Sequence, residues 1–111
     1  MTTREQGSYL RFFVHENRRH HGKLLYEWLL DQARALGAPR GTAFRAIADF
    51  GRRKVMHEQQ FFELAGEITV RVDFLVTEAE RDQLLQLVQV EKLKIPYAVF
   101  PVEFGVTEGD H

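Results

Sequence analysis

Hydrophobic and polar residues alternate in four separate stretches of the chain, which is the pattern of β-strands with one buried face. The four stretches are residues 8–15, 41–51, 68–76 and 97–104. The alternation in the third stretch is the most regular in the sequence. The fourth contains Pro101, which cannot donate a hydrogen bond within a sheet and therefore predicts a strand at the edge.

Two further stretches carry apolar residues at the spacing of a helix face. Residues 25–36 form the first, and Gly37 is expected to end it. Residues 78–91 form the second, which begins after Thr77. Thr77 and Glu80 have the spacing of a capping box, in which each side chain accepts a hydrogen bond from a free backbone amide at the start of a helix.

The elements follow the order βαββαβ, which predicts an α+β protein of the ferredoxin-like class. In that arrangement the first and third strands lie at the centre of an antiparallel four-stranded sheet. The fourth strand lies at an edge, and both helices cover one face. We expect a single domain over residues 8–105, with a disordered segment over residues 1–7 and a flexible tail over residues 106–111.

The face of the sheet without helices is predicted to carry both charged and large apolar side chains. The predicted members are Arg11, Arg45, Asp49, Arg71, Asp73 and Glu103 with Tyr9, Phe13, Ile47 and Leu75. A surface that contacts only water seldom combines large apolar groups with acids and bases in this way. We interpret it as a self-association face with paired charges, and the alternative is an ordinary solvated face.

The composition excludes several classes of protein. The 111 residues contain 15 Lys and Arg against 16 Asp and Glu, with a net charge of -1, so no positive field favours binding of nucleic acid or anionic membranes. The chain has no cysteine, which excludes disulfides and thiolate metal sites. The sequence has neither the apolar length of a membrane span nor the pattern of a signal peptide, and we expect a cytoplasmic protein.

The connection between the second and third strands is much longer than a hairpin turn, which needs about two to five residues. It runs over residues 51–67 and opens with a basic cluster that includes Arg52 and Arg53. Long loops that project from a rigid sheet often carry binding function. A short amphipathic helix over residues 55–64 that packs back on the sheet is an alternative, and both interpretations can hold together.

A second group of basic residues, which includes Arg19 and Lys23, lies in the loop after the first strand. The first and second strands run parallel in the predicted topology, so both loops leave the sheet at the same end. Guanidinium and ammonium groups that converge there would form charge-assisted hydrogen bonds with an anionic ligand. Asp49 opposes this charge, and we expect it to pair with an arginine or to orient a ligand hydroxyl or a metal-bound phosphate.

Histidines and a carboxylate crowd the same region, at His15, Glu16, His20 and His21. Imidazole and carboxylate groups are ligands for zinc, nickel or copper. However, adjacent histidines in an extended chain point apart, and histidine pairs at helical spacing are absent. We therefore predict no metal site, and we expect His21 and Gly22 to shape the entry to the first helix.

Catalytic chemistry finds little support in the sequence. Glu16, His21, Asp49 and His57 could supply acid–base groups, but nothing in the sequence pairs them as a catalytic set. The glycine pattern of a phosphate-binding loop is also absent. We therefore expect a protein that is not an enzyme, and we expect any bound nucleotide to lie in a cleft between subunits.

A series of short segments carries a family resemblance. The segments are residues 10–14, Glu16, His21-Gly22-Lys23, Leu25-Tyr26-Glu27, Gly41-Thr42-Ala43, Arg45-Ala46-Ile47, Phe50-Gly51 and His57. Together they resemble a family of small bacterial and archaeal PII-like proteins of unknown function. The chain differs from the usual pattern at Leu24, at Asp49 and from Lys94 onward.

The resemblance implies a ferredoxin-like protomer that assembles as a homotrimer, in which the long loop corresponds to the T-loop of PII signal-transduction proteins. PII proteins bind adenine nucleotides or other small molecules between subunits and change their partner contacts through that loop. The expected function is a non-enzymatic regulator that binds a small anionic ligand and contacts a partner protein through residues 51–66. The predicted ligand-binding residues are Glu16, Arg19, His21, Lys23, Arg45, Asp49, Gly51, Arg52, Arg53 and His57. The alternative function is that of a metal-binding or metal-tolerance trimer similar to the CutA proteins.

Overall fold

The computed structural model describes residues 2–50 and 68–109 of the chain. Within these residues the elements in chain order are strands β1 (Thr2–His15), β2 (Arg19–His20) and β3 (Lys23–Leu24), helix α1 (Leu25–Ala35), strands β4 (Arg40–Arg45) and β5 (Thr69–Thr77), helix α2 (Glu78–Val90) and strand β6 (Tyr97–Thr107). The predicted ferredoxin-like α+β fold is confirmed. A small hairpin, β2–β3, is added between the first strand and the first helix.

The main sheet has the strand order β4-β5-β1-β6, and each neighbouring pair is antiparallel. The two strands predicted to be central, β1 and β5, are central. The strand that contains Pro101 lies at an edge, where Pro101 is paired with Ser8 of β1. An edge position accommodates proline because one side of the strand needs no donor.

The hydrophobic core lies between the sheet and the two helices. Its buried members are Leu10, Phe12, Val14, Leu25, Trp28, Leu29, Ala33, Val70, Val72, Phe74, Val76, Leu84, Val88 and Ile95. The rings of Phe12 and Phe74 meet edge to face across the two central strands, with centroids 6.2 Å apart. Among the residues that the structure describes, no helix is long and apolar enough to cross a membrane.

The start of α2 is stabilised by the predicted capping box. The backbone amide of Glu80 donates to Thr77 Oγ1 at 3.1 Å, and the backbone amide of Thr77 donates to Glu80 Oε1 at 2.9 Å. These two bonds satisfy amides that have no partner within the helix. The local sequence therefore accounts for the place where β5 turns into α2.

Both ends of the chain depart from the prediction of disorder. Residues 2–7, expected to be disordered, extend β1, and residues 106–107 of the expected flexible tail extend β6. Residues 2–7 pair with residues 102–107 of β6, from Gly7 opposite Val102 to Thr2 opposite Thr107. Each segment is polar enough to suggest a tail, but the pairing satisfies its backbone hydrogen-bonding groups.

Strand β4, which corresponds to the second predicted strand, is shorter than predicted, and its side chains point to the opposite sides of the sheet from those predicted. β4 ends at Arg45, and its register places Ala43 opposite Val72 and Phe44 opposite Arg71. Because directly paired residues share a face, Phe44 lies on the open face and Arg45 lies on the helix side. The prediction had these two reversed, since a shift of one residue exchanges the faces of a strand.

Packing beneath α1 explains this register. Gly41 is paired with Phe74, and a Cβ atom added at Gly41 would lie 2.7 Å from the Phe74 ring. The residue of β4 that faces the helices must therefore be small where the Phe74 ring lies against the strand. This requirement directs the larger Phe44 side chain to the open face.

Other predicted members of the open face also lie elsewhere. Glu103 is paired with Gln6, so it shares the side of the sheet that carries the helices. Ile47 and Asp49 follow the end of β4 and belong to no strand. The open face is therefore built by the odd-numbered residues of β1 and β5, by Phe44 and by the even-numbered residues of β6.

Replacing Thr77 with alanine should lower the free energy of unfolding by about 1 kcal/mol, because one amide of α2 loses its acceptor. Thr77→Ser keeps the hydroxyl and serves as the matched control, with stability close to wild type. Urea unfolding followed by circular dichroism at a fixed protein concentration measures both. Equal stability of the alanine and serine variants would contradict a stabilising role for the capping box.

Candidate functional site

The ends of three strands meet where residues 16–18 and residues 46–50 leave the sheet. The amide of Glu16 donates to the carbonyl of Ile68 at 2.8 Å, and the amide of Ala46 donates to the carbonyl of Thr69 at 2.9 Å. The start of β5 is therefore flanked on both sides. This arrangement agrees with the expectation that the first loop and the long connection leave the same end of the sheet.

Two of the predicted ligand-binding residues pair with each other at this end. Arg45 Nη2 lies 2.6 Å from Glu16 Oε2, and the Arg45 side chain is 67% exposed while that of Glu16 is 19% exposed. The guanidinium thus faces solvent on one side and a carboxylate on the other. An anionic ligand at Arg45 must compete with Glu16 or use the remaining guanidinium N–H groups.

The other predicted cations of the first loop have local partners. Arg19 Nη2 donates to the carbonyl of Gly22 at 3.0 Å, and the Lys23 ammonium donates to the Asp31 carboxylate in α1. The Lys23 hydrogen bond and charge hold the pKa of Asp31 below its usual value. Arg19 and Lys23 therefore stabilise the β2–β3 hairpin and its contact with α1.

The remaining predicted site residues divide into two groups. Asp49 is exposed in the stretch after β4. Gly51, Arg52, Arg53 and His57 lie outside the described residues, as does the rest of the predicted long loop.

His21 belongs to a second cluster, together with His20 and Glu91. His20 Nε2 lies 2.9 Å from Glu91 Oε1, and His21 Nε2 lies 2.8 Å from the same oxygen. Hydrogen bonds from His21 and His20 hold the pKa of Glu91 below its usual value. One carboxylate oxygen just beyond α2 therefore receives both imidazole rings of the hairpin.

The backbone of the hairpin makes this convergence possible. His21 has a φ of 52° and Gly22 has a φ of 77°, so the chain reverses within two residues. In a regular extended strand the two rings would point to opposite sides. The expectation that adjacent histidines point apart is therefore wrong here, because the left-handed turn brings both rings to one side.

An aromatic side chain lies beside the histidine pair. The ring centroids of His20 and His21 are 4.1 Å apart, and the His20 ring meets the buried Trp28 ring edge to face at 4.7 Å. The side chain of His20 is 15% exposed, while that of His21 is 63% exposed. The cluster thus has a sheltered side against α1 and an open side toward solvent.

Sequence reasoning missed Glu91 in this cluster. It lies 71 residues after His20 in the chain, and no spacing pattern relates two such distant positions. The available signal is topological: α2 must return to the end of the sheet at which β1 finishes. That signal places Glu91 near the first loop without identifying its partners.

A third cluster occupies the centre of the open face. The Asp73 side chain is only 2% exposed. Arg11 Nε donates to Asp73 Oδ1 at 3.0 Å, Arg71 Nε donates to Oδ2 at 3.1 Å, and the Tyr9 hydroxyl donates to Oδ2 at 3.1 Å. The carboxylate of Asp73 raises the pKa of Arg11. The predicted pairing of charges on this face is confirmed for Arg11, Arg71 and Asp73.

Aromatic rings surround these paired charges. The Arg11 guanidinium lies 5.3 Å from the centroid of the Phe100 ring, and the Arg71 guanidinium lies 4.4 Å from that of Phe44. Phe13, Phe44 and Phe100 remain about two-fifths exposed. The open face is therefore an aromatic surface with a buried carboxylate at its centre, and its charges are already arranged before any partner binds.

Comparison with known proteins relates this chain to one family by sequence. The family model DUF190, described as "Uncharacterized ACR, COG1993", matches residues 7–94. A UPF0166 protein of Aquifex aeolicus (strain VF5) is 32% identical over 77 residues, which are 69% of this chain and 73% of the relative.

Solved structures with a similar fold are PII-like. A PII-like signalling protein of Thermus thermophilus has a TM-score of 0.60 at 15% identity, over 91% of this chain and 90% of that one. CPII of Thiomonas intermedia K12, a structure with bound ADP, AMP and acetate, has a TM-score of 0.60 at 14% identity, over 96% of this chain and 93% of that one. At such identities the likeness concerns the fold alone. Family membership is shown by the family model, which spans most of the chain. The chain therefore belongs to the DUF190 (UPF0166) family and has a PII-like fold.

Proposed function

We propose that the protein is a non-enzymatic regulator of the PII-like type. In this proposal a homotrimer binds a small anionic ligand, with an adenine nucleotide as the first candidate, in the clefts between subunits. Residues 51–66 then contact a partner protein in a manner that depends on the ligand. The cytoplasmic location predicted from the sequence belongs to the same proposal.

The observation that carries the proposal is the open face of the sheet. Asp73 is buried there beneath Arg11, Arg71 and Tyr9, while three phenylalanine rings stay partly exposed around it. Burial of a charge is costly unless its partners are in place. A surface with paired charges and exposed aromatic rings suits contact with another protein surface better than contact with water.

The pocket under α1 is too small to hold a nucleotide. The pocket under α1, lined by Leu30, Ala33, Arg34, Ala38, Gly41 and Phe74, has a volume of about 110 Å³. Sites for ligands of nucleotide size have volumes of roughly 300–1,000 Å³. Because this pocket lies on the helix side of the sheet, a subunit packed on the open face would not enlarge it, and the proposed ligand site is a separate cleft between subunits.

Arg45 is the described residue best suited to contact the anion. Its guanidinium is largely exposed and lies beside the segment that leads into residues 51–67. It forms an ion pair with Glu16, whose carboxylate can be replaced by the oxygens of a phosphate, which guanidinium groups also bind. The CPII structure that holds ADP and AMP supports a nucleotide as the first ligand to test.

Two arrangements of the acid–base groups support a function without catalysis. His21 interacts with Glu91, and Glu16 interacts with Arg45. A catalytic set needs a base within hydrogen-bond reach of a nucleophile or a substrate proton. The contacts of His21 and Glu16 are an imidazole–carboxylate contact and an ion pair, which are of the kind that hold loops in place.

We expect a homotrimer of about 39 kDa by light scattering, three times the 13.0 kDa of one chain.

Asp73→Asn should dissociate the trimer or destabilise it by roughly 3–5 kcal/mol, because Arg11 and Arg71 lose the charge that compensates them. Light scattering and thermal unfolding at matched concentrations measure the two effects.

Asp82→Asn is the matched control for this experiment. Asp82 makes an exposed ion pair with Arg81, and exposed pairs contribute about 0–1 kcal/mol. The control should keep the mass and stability of wild type. A monomeric wild-type protein at micromolar concentration, or equal behaviour of the two variants, would contradict self-association through the open face.

Calorimetric titration with ATP, ADP and AMP, with and without magnesium, tests the ligand site. Arg45→Ala should weaken nucleotide binding roughly 10- to 100-fold, since a hydrogen bond to a charged group contributes about 1.5–3 kcal/mol. Arg40→Ala is the control, because Arg40 lies at the other end of the same strand. Absence of binding below millimolar concentration, or equal loss in both variants, would refute the nucleotide site.

A further inference from the structure

We propose that His20, His21 and Glu91 form a binding site for a divalent transition metal, with zinc as the first candidate. Two imidazole nitrogens and one carboxylate oxygen are the three protein ligands of many zinc sites that keep a fourth position open. Nitrogen donors favour zinc, copper or nickel over magnesium or calcium. This proposal does not depend on the nucleotide site or on the trimer.

The three side chains already hold their donor atoms close together. The ligand atoms of His20, His21 and Glu91 all lie within 4.8 Å of one another. Among residues 2–50 and 68–109, these three side chains form the candidate metal cluster. In tetrahedral zinc coordination, ligand atoms are about 3.3 Å apart, given Zn–N bonds of about 2.0–2.1 Å. Small side-chain rotations are therefore sufficient to admit the ion.

Two hydrogen bonds at the base of the hairpin hold the two histidines in place. Arg18 Nη1 donates to the carbonyl of Lys94 at 2.9 Å, which fastens the loop to the segment just after Glu91. At the other end, the amide of Leu25 donates to the carbonyl of Arg18 at 2.7 Å. The first bond connects the hairpin to the segment after α2, and the second closes the base of the hairpin; neither uses any of the three proposed ligands.

The surroundings of the cluster provide one sheltered side and one open side. The His20 ring rests against Trp28, which is buried in the core, and this contact limits the orientations of the ring. His21 is mostly exposed, so a water molecule or a ligand atom has access to the fourth coordination position. Glu91 Oε1 lies 2.9 Å from His20 Nε2 and 2.8 Å from His21 Nε2, so the three donor groups face one another.

The decisive measurement is a zinc titration of the full-length chain without an affinity tag, in competition with a chromogenic chelator. Wild type should bind one zinc ion per chain. Glu91→Gln and His21→Ala should each weaken zinc binding roughly 10- to 100-fold or more, since loss of even an outer partner of a metal ligand costs that much. His15→Gln is the matched control, because it removes a nearby histidine that is outside the cluster, and it should bind zinc as wild type does.

Trp28 supplies an independent readout. It is the one tryptophan of the chain, and its ring centroid lies 4.7 Å from that of His20. Copper(II) bound at the cluster should quench Trp28 fluorescence in wild type and in His15→Gln. The quenching should be lost in Glu91→Gln and His21→Ala at the same copper concentration.

Circular dichroism verifies that each variant is folded. If Glu91→Gln fails to fold, His21→Ala decides the outcome, because the His21 side chain is 63% exposed and its removal should leave the fold intact. Three results would overturn the proposal. They are the absence of stoichiometric zinc binding by wild type, equal affinity of wild type and His21→Ala, and a loss in His15→Gln as large as the loss in His21→Ala.

Discussion

The antiparallel pairing of β1 with β5 is the constraint on which both faces of the sheet depend. Its register places Phe12 opposite Val72 on the helix side and Arg11 opposite Asp73 on the open side. A shift of one residue would bury the charges among the core side chains and expose the core to water. The same pairing therefore builds the hydrophobic core and the buried carboxylate of the open face.

The charged and imidazole side chains that could bind a ligand lie at the end of the sheet where β1 finishes. Glu16 and Arg45 meet there across the start of β5, and the β2–β3 hairpin carries His20 and His21 to Glu91. Both arrangements join segments that are far apart in the chain.

The candidate site was predicted in part. Glu16 and Arg45 were both chosen from the sequence, but their mutual ion pair depends on the face that β4 presents, and that prediction was wrong. His21 was chosen as a ligand-binding residue and as one that shapes the entry to the first helix, but its contact with Glu91 was not predicted. Such contacts are decided by turn conformation and register, and neither quantity is encoded in the spacing of residue types.

The sequence by itself determined the order of the four main strands and the two helices, the central strands and the start of α2, because alternation, helical spacing and the Thr77–Glu80 capping box are local signals. Tertiary structure alone decided which side of β4 faces the helices, since that depends on the room left by the Phe74 ring at Gly41. It also decided that residues 2–7 are a strand, because their partner lies at the other end of the chain. Distant pairing and packing space are properties of the assembled sheet, and no local pattern in the chain carries them.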